Sequence, residues 1–520
     1  MTNSPYGKLG YETYEEACEK YTPKDKWSVF DGEPSNFNIT HECIDRHTDK
    51  GAAILIGKED GGRETITFKG LGKHASQFAN LLEHQHLTKG DRVAIFTEPC
   101  LELYVSMFGS FKHGACIVLC SPLLGKEAIR FRLEDSKPKL IIAAHDIFKM
   151  LPEDATENVL STDDLLNKIE GESDTYETST SASDAAAIQY TSGTTGNPKP
   201  FVYRHKSLAS LAPGAKFSHG VAIDDVYFCP SSVGWGHFLW PGTCAPLIFG
   251  ATASTRSGRF VPERILEMMR EFRINNTTIT PTAVRKLLDA GKTNHHEVNL
   301  EKMTYTGEPL DQKSFFLWQE IFGVEPHAIY GSTEVGAVIS DYPGFKNWKV
   351  KQGSLGKPFP ALKVAIIDSE GKITGPQKIG EIAVHLRTDW KHMGDSGYVD
   401  TDGYYWFTGR MDDIIKSSGY RIGPVEIENV LNSHYAVKES AAIGVPDAMK
   451  GHIIKAFVVL KEGQEPGELL KIGIQQFVRE KLAAYAYPKE IEFTSEIPKT
   501  IDGKVKRNLL RLQSSKTVVN

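Results

Sequence analysis

The chain has 520 residues, more than one ordinary core accommodates, so several folding units are expected. Apolar residues make up 40% and charged residues 24%, a globular profile, and a net charge of −6 selects no charged partner. No sustained basic run interleaved with aromatics argues for nucleic acid, and no apolar stretch approaches the roughly 18–20 residues that span a bilayer.

The first residues lack a basic-then-apolar signal pattern. The seven cysteines are Cys18, Cys43, Cys100, Cys116, Cys120, Cys229 and Cys244, with no CxxC pair. That pattern argues against a disulfide framework and a zinc site, and a reduced, cytoplasmic compartment is expected.

Taken in chain order, residues 91–98 (DRVAIFTE) read as a strand, 101–113 as a helix and 114–120 (GACIVLC) as a strand. Residues 127–136 then read as a helix and 139–145 as a strand. This βαβα rhythm implies a mostly parallel sheet with helices on both faces. Residues 171–184 are rich in Ser, Thr and acids and read as a surface loop before the strand 185–190 (AAAIQY).

That strand runs into Thr191-Ser192-Gly193-Thr194-Thr195-Gly196-Asn197-Pro198-Lys199. The two glycines let backbone N–H groups approach an anion, the hydroxyls add donors, and Lys199 supplies a cation for phosphate oxygens. No Gly-Lys-Ser/Thr follows, so this is not a Walker A loop and a P-loop kinase is disfavoured. Pro198 fits a loop lying over a triphosphate better than a tight strand-loop-helix nest.

The segment resembles the signature of the adenylate-forming superfamily, which includes acyl-CoA synthetases, adenylation domains of peptide synthetases, and luciferases. Pro200 stands where that family usually has Gly and should stiffen the exit of the loop.

Further along, a second βα series spans about 225–330. It contains Gly307-Glu308-Pro309, which resembles the family's adenine-side turn. It ends at Tyr330-Gly331-Ser332-Thr333-Glu334, and the resemblance implies that Thr333 contacts phosphate and Glu334 engages Mg²⁺. A hard cation does favour carboxylate and phosphate oxygens together. From about 352 the texture changes to short strands and turns, a smaller β-rich subdomain. Asp395 can accept both ribose hydroxyls there, and Arg410, fifteen residues on, can reach the same nucleotide. Met393 occupies a position where the family usually carries Thr.

Residues 416–431 resemble the medium-chain acyl-CoA synthetase branch, although Val425, Ile427, Val430 and Leu431 also have the spacing of a buried helix face. The resemblance implies that Ser418, Gly419 and Tyr420 lie along a pantetheine tunnel and that Arg421 neutralises CoA phosphate. Arg479, on an amphipathic helix, matches a phosphate-binding arginine of the acetyl-CoA synthetase branch and equally suits a solvated face. Lys504 falls at the position of the family's catalytic lysine, with Asp502 where the family has Ser or Thr. His205 and His237 pair with no Ser or Cys as a nucleophile would require, and both read as structural or pocket residues.

The expected fold is thus α/β. A large N-terminal domain (1–411) of parallel α/β sheets with a β-rich subdomain would precede a small mobile α+β C-terminal domain (412–520), with Asp412 as hinge. The expected reaction is ATP-dependent formation of acyl-AMP from a carboxylic acid, followed by transfer to coenzyme A. ATP, Mg²⁺ and CoA are the implied cofactors; no membrane span is expected, and a homodimer is one arrangement open to such a chain.

The acyl pocket is expected at Trp235, Gly236, His237, Trp240 and Gly331. Gly236 and Gly331 stand where acetate-specific relatives carry Val and Trp, so short-to-medium acids, straight or branched, are favoured over acetate. The competing readings are a stand-alone adenylating enzyme for an aryl acid or a carrier protein, and a non-catalytic nucleotide sensor, which would lack Lys504 or Glu334.

Overall fold

The computed structural model describes residues 5–153, 158–191, 198–290, 298–332, 335–386, 388–413, 415–417, 420–447, 451–482, 486–499 and 505–517. The chain groups into two compact units. One comprises 1–279, 289–304 and 342–348; the other comprises 280–288, 305–341 and 349–520.

In the first unit the strands are β1 (Ala52–Gly57), β2 (Arg63–Thr67), β3 (Arg92–Phe96), β4 (Cys116–Cys120), β5 (Leu140–Ala143), β6 (Val159–Ser161), β7 (Ala185–Thr191), β8 (Lys199–Arg204), β9 (Val226–Phe228), β10 (Thr252–Arg256) and β11 (Asn276–Ile279). One sheet has the order β6-β5-β3-β4-β7-β8. It is parallel through β7, and β8 returns antiparallel along its edge. Strands β4 and β5 are buried along their whole length, which is why they read as unbroken apolar runs. The helix Leu101–His113 joins β3 to β4 and ends at Gly114, whose φ of 96° closes the turn. In the other sheet β1, β10, β9 and β11 run parallel side by side, and β2 pairs antiparallel with β1.

Strand β12 (Lys302–Thr306) follows. The second unit contains β13 (Pro326–Ser332), β14 (Gly336–Ser340) and β15 (Lys357–Pro358), an antiparallel set. Next come β16 (Lys363–Ile367), β17 (Gly380–Leu386), β18 (Asp389–Val399) and β19 (Tyr405–Arg410), an antiparallel meander and the β-rich portion expected from the sequence. The last strands are β20 (Ile415–Ser417), β21 (Tyr420–Ile422), β22 (Val437–Asp447), β23 (Gly451–Leu460) and β24 (Glu490–Phe493). They form one sheet in the order β21-β20-β23-β22, with β24 beside β23. The helices Pro424–Ser433 and Glu468–Lys481 bury Ile427, Leu431, Ile474 and Val478 against it.

The α/β class agrees with the sequence reading, and the differences are local. Strand β18 continues through 394–398, the segment that carries Asp395. The sequence gives little sign of β22, whose buried run 440–443 is flanked by the exposed Lys438 and Pro446. Two departures from the family pattern now have physical reasons. Pro200 pairs opposite Tyr190 on the edge strand β8, where a missing N–H is tolerated. Met393 packs on the apolar cluster of Val338, Ile339, Ile366, Ile382 and Val384.

Candidate active site

The segment 191–199 begins at the end of β7 and finishes at the start of β8. Thr191 and Lys199 face each other as the last residue of one strand and the first of the next, so the loop starts and returns at one point. Ser192, Gly193, Thr194, Thr195 and Gly196 lie outside the described residues. The base of the loop is anchored from β7. The Tyr190 hydroxyl donates to Asp135 Oδ2 at 2.6 Å, and burial together with that carboxylate pushes the phenol well above its usual range.

A second group forms within the other unit. Antiparallel pairing of β18 and β19 sets Asp395 directly opposite Arg410. Arg410 Nη1 donates to Asp395 Oδ1 at 3.1 Å, and Tyr330 donates its hydroxyl to Asp395 Oδ2 at 2.6 Å. The carboxylate is therefore gripped on both oxygens. Burial, with Asp395 beside it, raises the Tyr330 phenol far above its ordinary value and keeps it a donor. Gly394 has φ +72°, and a Cβ there would lie 3.2 Å from Arg410 Nη2, so the glycine leaves room for the guanidinium. Its N–H donates to Glu381 Oε1 at 3.0 Å.

The turn Gly307-Glu308-Pro309 follows β12. Glu308 Oε1 accepts from Thr282 Oγ1 at 2.8 Å and from Arg285 Nη2 at 2.7 Å, and Arg285 also reaches Asp311 at 3.5 Å. Sequence reasoning missed Arg285; the spacing of a lone arginine on a helix carries no signal for it.

Gly331 and Ser332 end β13, and Thr333 and Glu334 lie outside the described residues. The register of β13 against β14 shifts between Tyr330 and Gly331. A side chain at Gly331 would run into the carbonyl oxygen of Gly336. The tight strand pairing accounts for this glycine by itself, and its missing side chain is not simply open pocket.

In the first unit, Trp235, Gly236 and His237 lead into a π-helix, Phe238–Cys244, that contains Trp240 and Pro241. Such helices are rare and recur at functional sites. Trp240 packs on Tyr203 with ring centroids 4.9 Å apart. Contrary to the sequence reading, His237 does pair with a serine and a cysteine: it links Ser231 Oγ (2.6 Å, through Nδ1) to Thr278 Oγ1 (3.2 Å, through Nε2), Cys229 Sγ lies 3.5 Å from Nδ1, and burial lowers its pKa to about 4, so the ring is neutral. Beside Gly236 lies Gln189, 3% exposed, and among the described residues neither of its amide atoms has a hydrogen-bond partner. Each buried, unsatisfied polar group costs about 1–3 kcal/mol, which a purely structural glutamine would have little reason to bear. Strand periodicity alone does not point to it, because it does not say which face is covered by what. His205 is fully buried; its Nδ1 accepts the Ile39 N–H at 3.1 Å, and its Nε2 has no partner among the described residues.

Near the end of the chain, Lys499 and Val505 pair antiparallel and bracket the segment carrying Lys504, which lies outside the described residues with Asp502. Ser418 and Gly419 also lie outside them, and the backbones of Tyr420 and Arg421 form β21. Asp412 sits in the turn Met411–Asp413, and its carbonyl accepts from Arg511 Nη2 at 3.2 Å. Glu428 is held by Arg507 Nη2 at 2.6 and 2.7 Å, and Arg507 also reaches Asp413 at 3.4 Å. Arg479 is exposed and lies over the Tyr487 ring, 5.7 Å from its centre. Among the described residues no group of three His, Cys, Asp or Glu could hold a metal ion, and no helix is long and apolar enough to cross a membrane.

Comparison with known proteins places this geometry. Residues 41–388 match the AMP-binding enzyme family model, and 426–504 match that of the AMP-binding enzyme C-terminal domain. The chain is 32% identical over 517 residues to acetyl-coenzyme A synthetase of Bacillus subtilis (strain 168), covering 91% of this chain and 90% of that protein. It is also 32% identical over 541 residues to the mitochondrial acyl-coenzyme A synthetase ACSM3 of Homo sapiens, covering 94% and 91%. Among solved structures, the anthranilate CoA ligase AuaEII in complex with anthranoyl-AMP superposes with a TM-score of 0.84 at 27% identity, covering 96% of this chain and 100% of that one. The chain belongs to the AMP-binding enzyme family, as an AMP-forming acid–thiol ligase of the acyl-CoA synthetase kind, whose members use ATP and coenzyme A.

Proposed function

We propose that the chain activates a short-to-medium-chain carboxylic acid, straight or branched, as acyl-AMP and passes the acyl group to free CoA. The substrate carboxylate attacks the α-phosphorus of ATP, pyrophosphate leaves, and the CoA thiol then displaces AMP from the mixed anhydride. Hydroxide is a poor leaving group and AMP a good one, so no protein nucleophile is required. The protein's part is orientation, charge neutralisation and exclusion of water.

The observation that carries this reading is the Asp395 carboxylate, held between Tyr330 and Arg410. In the proposed assignment it accepts the ribose hydroxyls, the 191–199 loop covers the phosphates, and Thr333 contacts phosphate. Gly307, Glu308 and Pro309 border the adenine, and Tyr330, Gly331 and Ser332 complete the nucleotide side. Glu334 would hold Mg²⁺, which neutralises phosphate charge when bound. Ser418, Gly419, Tyr420, Arg421 and Arg479 serve CoA. Lys504 stabilises the charge developing between the α-phosphate and the attacking carboxylate, and residues 412–520 turn about Asp412 between the two half-reactions.

For the acid, Trp235, Gly236, His237 and Trp240 form the acyl wall. Gly236 weighs against acetate more than Gly331 does, because the β13–β14 pairing already demands a glycine at 331. A second reading, an aryl acid, is favoured by the likeness to a ligase solved with anthranoyl-AMP. Pyrophosphate release with free CoA and acids from C2 to C12, including isobutyrate, 2-methylbutyrate and benzoate, tests both. Acids of about four to eight carbons are expected to turn over best. Benzoate as best substrate selects the aryl reading, and acetate as best substrate overturns the pocket assignment.

A further inference from the structure

Strand β7 alternates its side chains between two faces. Ile188 and Tyr190 pack into the apolar cluster around Ala94, Val118, Ile129 and Leu133. Gln189 therefore points to the opposite face, beside its cross-strand partner Phe201. Phe201 contacts Tyr203 with ring centroids 4.7 Å apart, and Tyr203 contacts Trp240, so this face lies under the segment that carries the proposed acyl wall. The meeting point is close: a Cβ on Gly236 would stand 3.0 Å from Gln189 Oε1.

The nearby polar groups do not satisfy the amide. His237 bonds to Ser231, Thr278 and Cys229 and not to Gln189. Among the described residues Gln189 Oε1, Gln189 Nε2 and the Trp240 indole N–H all lack partners, although each is buried. Gln189 thus presents one acceptor and one donor group beside a glycine. An unsubstituted alkyl chain laid there would leave both of them unpaired, and a Leu or Met would serve such a chain better than Gln. A primary amide is matched by a group that donates and accepts through one small atom, which is the chemistry of a hydroxyl.

We propose that Gln189 recognises a hydroxyl group on the acyl chain, so that the substrate class is hydroxylated short-to-medium-chain acids. The inference rests on the acyl-CoA synthetase reading and on the placement of Gly236 in the acyl wall. A site built around a hydrogen bond to a substrate hydroxyl discriminates strongly against the analogue that lacks it, because the protein groups then stay unpaired.

The test compares matched pairs in the full-length enzyme: butyrate with 2-, 3- and 4-hydroxybutyrate, and hexanoate with its hydroxylated counterparts. Pyrophosphate release and thioester formation are both read. In the unaltered enzyme at least one hydroxy acid is expected to exceed its parent in kcat/KM by about tenfold or more. Gln189→Leu is expected to invert that ratio by lowering the hydroxy acid about 10- to 100-fold and raising the parent. Gln189→Met is read in parallel by thermal unfolding and the same ratio, so a folding defect in one variant does not decide the result. A preference for the parent acid in every pair overturns the inference, and so does an equal loss on both members in the folded variant. If no acid of either kind supports pyrophosphate release or thioester formation, the acyl-CoA synthetase reading fails first, and this inference fails with it.

Discussion

Tyr330 and Asp395, 65 positions apart in the chain, meet in a 2.6 Å hydrogen bond in which the phenol donates to Oδ2. Arg410 holds the other oxygen, so the orientation of the carboxylate is set before any nucleotide arrives. Tyr330→Phe removes one of the two supports without removing the charge. A hydrogen bond to a charged group is worth roughly 1.5–3 kcal/mol. The KM for ATP is therefore expected to rise about tenfold, with little change in thermal stability, and Asp395→Asn is expected to cost more. Initial rates at varied ATP check this, and an unchanged KM in both variants would remove Asp395 from the nucleotide site.

Lys504 is proposed to act only while the acyl-AMP bond forms. Lys504→Ala should abolish acyl-AMP formation and spare thioester formation from supplied acyl-AMP. Single-turnover assays of each half-reaction separate the two, and equal loss of both would sink the assignment.

Gly236 and Gly331 should respond differently to added side chains. At Gly236 the nearest atom is the end of a flexible glutamine, so Gly236→Val should fold and shift preference toward the shortest acids. At Gly331 the obstacle is backbone, and Gly331→Ala should destabilise the protein by about 1–3 kcal/mol and lower activity on every acid. Denaturant unfolding with the same acid panel compares them. A stable, fully active Gly331→Ala would contradict the strand-pairing explanation.

The Arg507–Glu428 pair is buried, and both carboxylate oxygens accept from one guanidinium nitrogen. Arg507→Met leaves Glu428 buried with only the Ala442 N–H as a donor and no cation beside it, and should cost about 3–5 kcal/mol. Adding Glu428→Leu should recover most of that loss, because the cost comes from the stranded charge. Urea unfolding of the single and double variants measures the coupling, and additive losses would refute it.

Burial lowers the pKa of His205 from 6.5 to about 4. The unfolded chain therefore binds more protons than the folded one between those values, and stability falls as pH drops from about 6.5 toward 4. For this one residue the loss at pH 5.5 is roughly 1 kcal/mol relative to neutral pH. His205→Asn keeps an acceptor for the Ile39 N–H and removes the titration. The variant should show a shallower dependence of unfolding free energy on pH over that window, measured against the unaltered protein; an unchanged slope would show that His205 does not titrate there.

The sequence by itself determined the local chemistry and the fold class. Apolar runs such as Cys116–Cys120 announced buried parallel strands, and the 191–199 segment announced the family, because both signals are carried by contiguous residues. The tertiary structure alone decided which distant groups meet. Strand register set Asp395 against Arg410, and the end of β13 brought Tyr330 to the same carboxylate. Packing of helix and turn placed Arg285 on Glu308. Pairing of β13 with β14 made Gly331 a matter of backbone clearance, and the π-helix segment set Gly236 beside an unpaired Gln189. The physical reason is common to all of these. Periodicity and motif spacing encode what a residue is and which face of its own element it occupies. The element that covers that face is fixed only when non-local segments pack, and hydrogen-bond satisfaction is decided at that step.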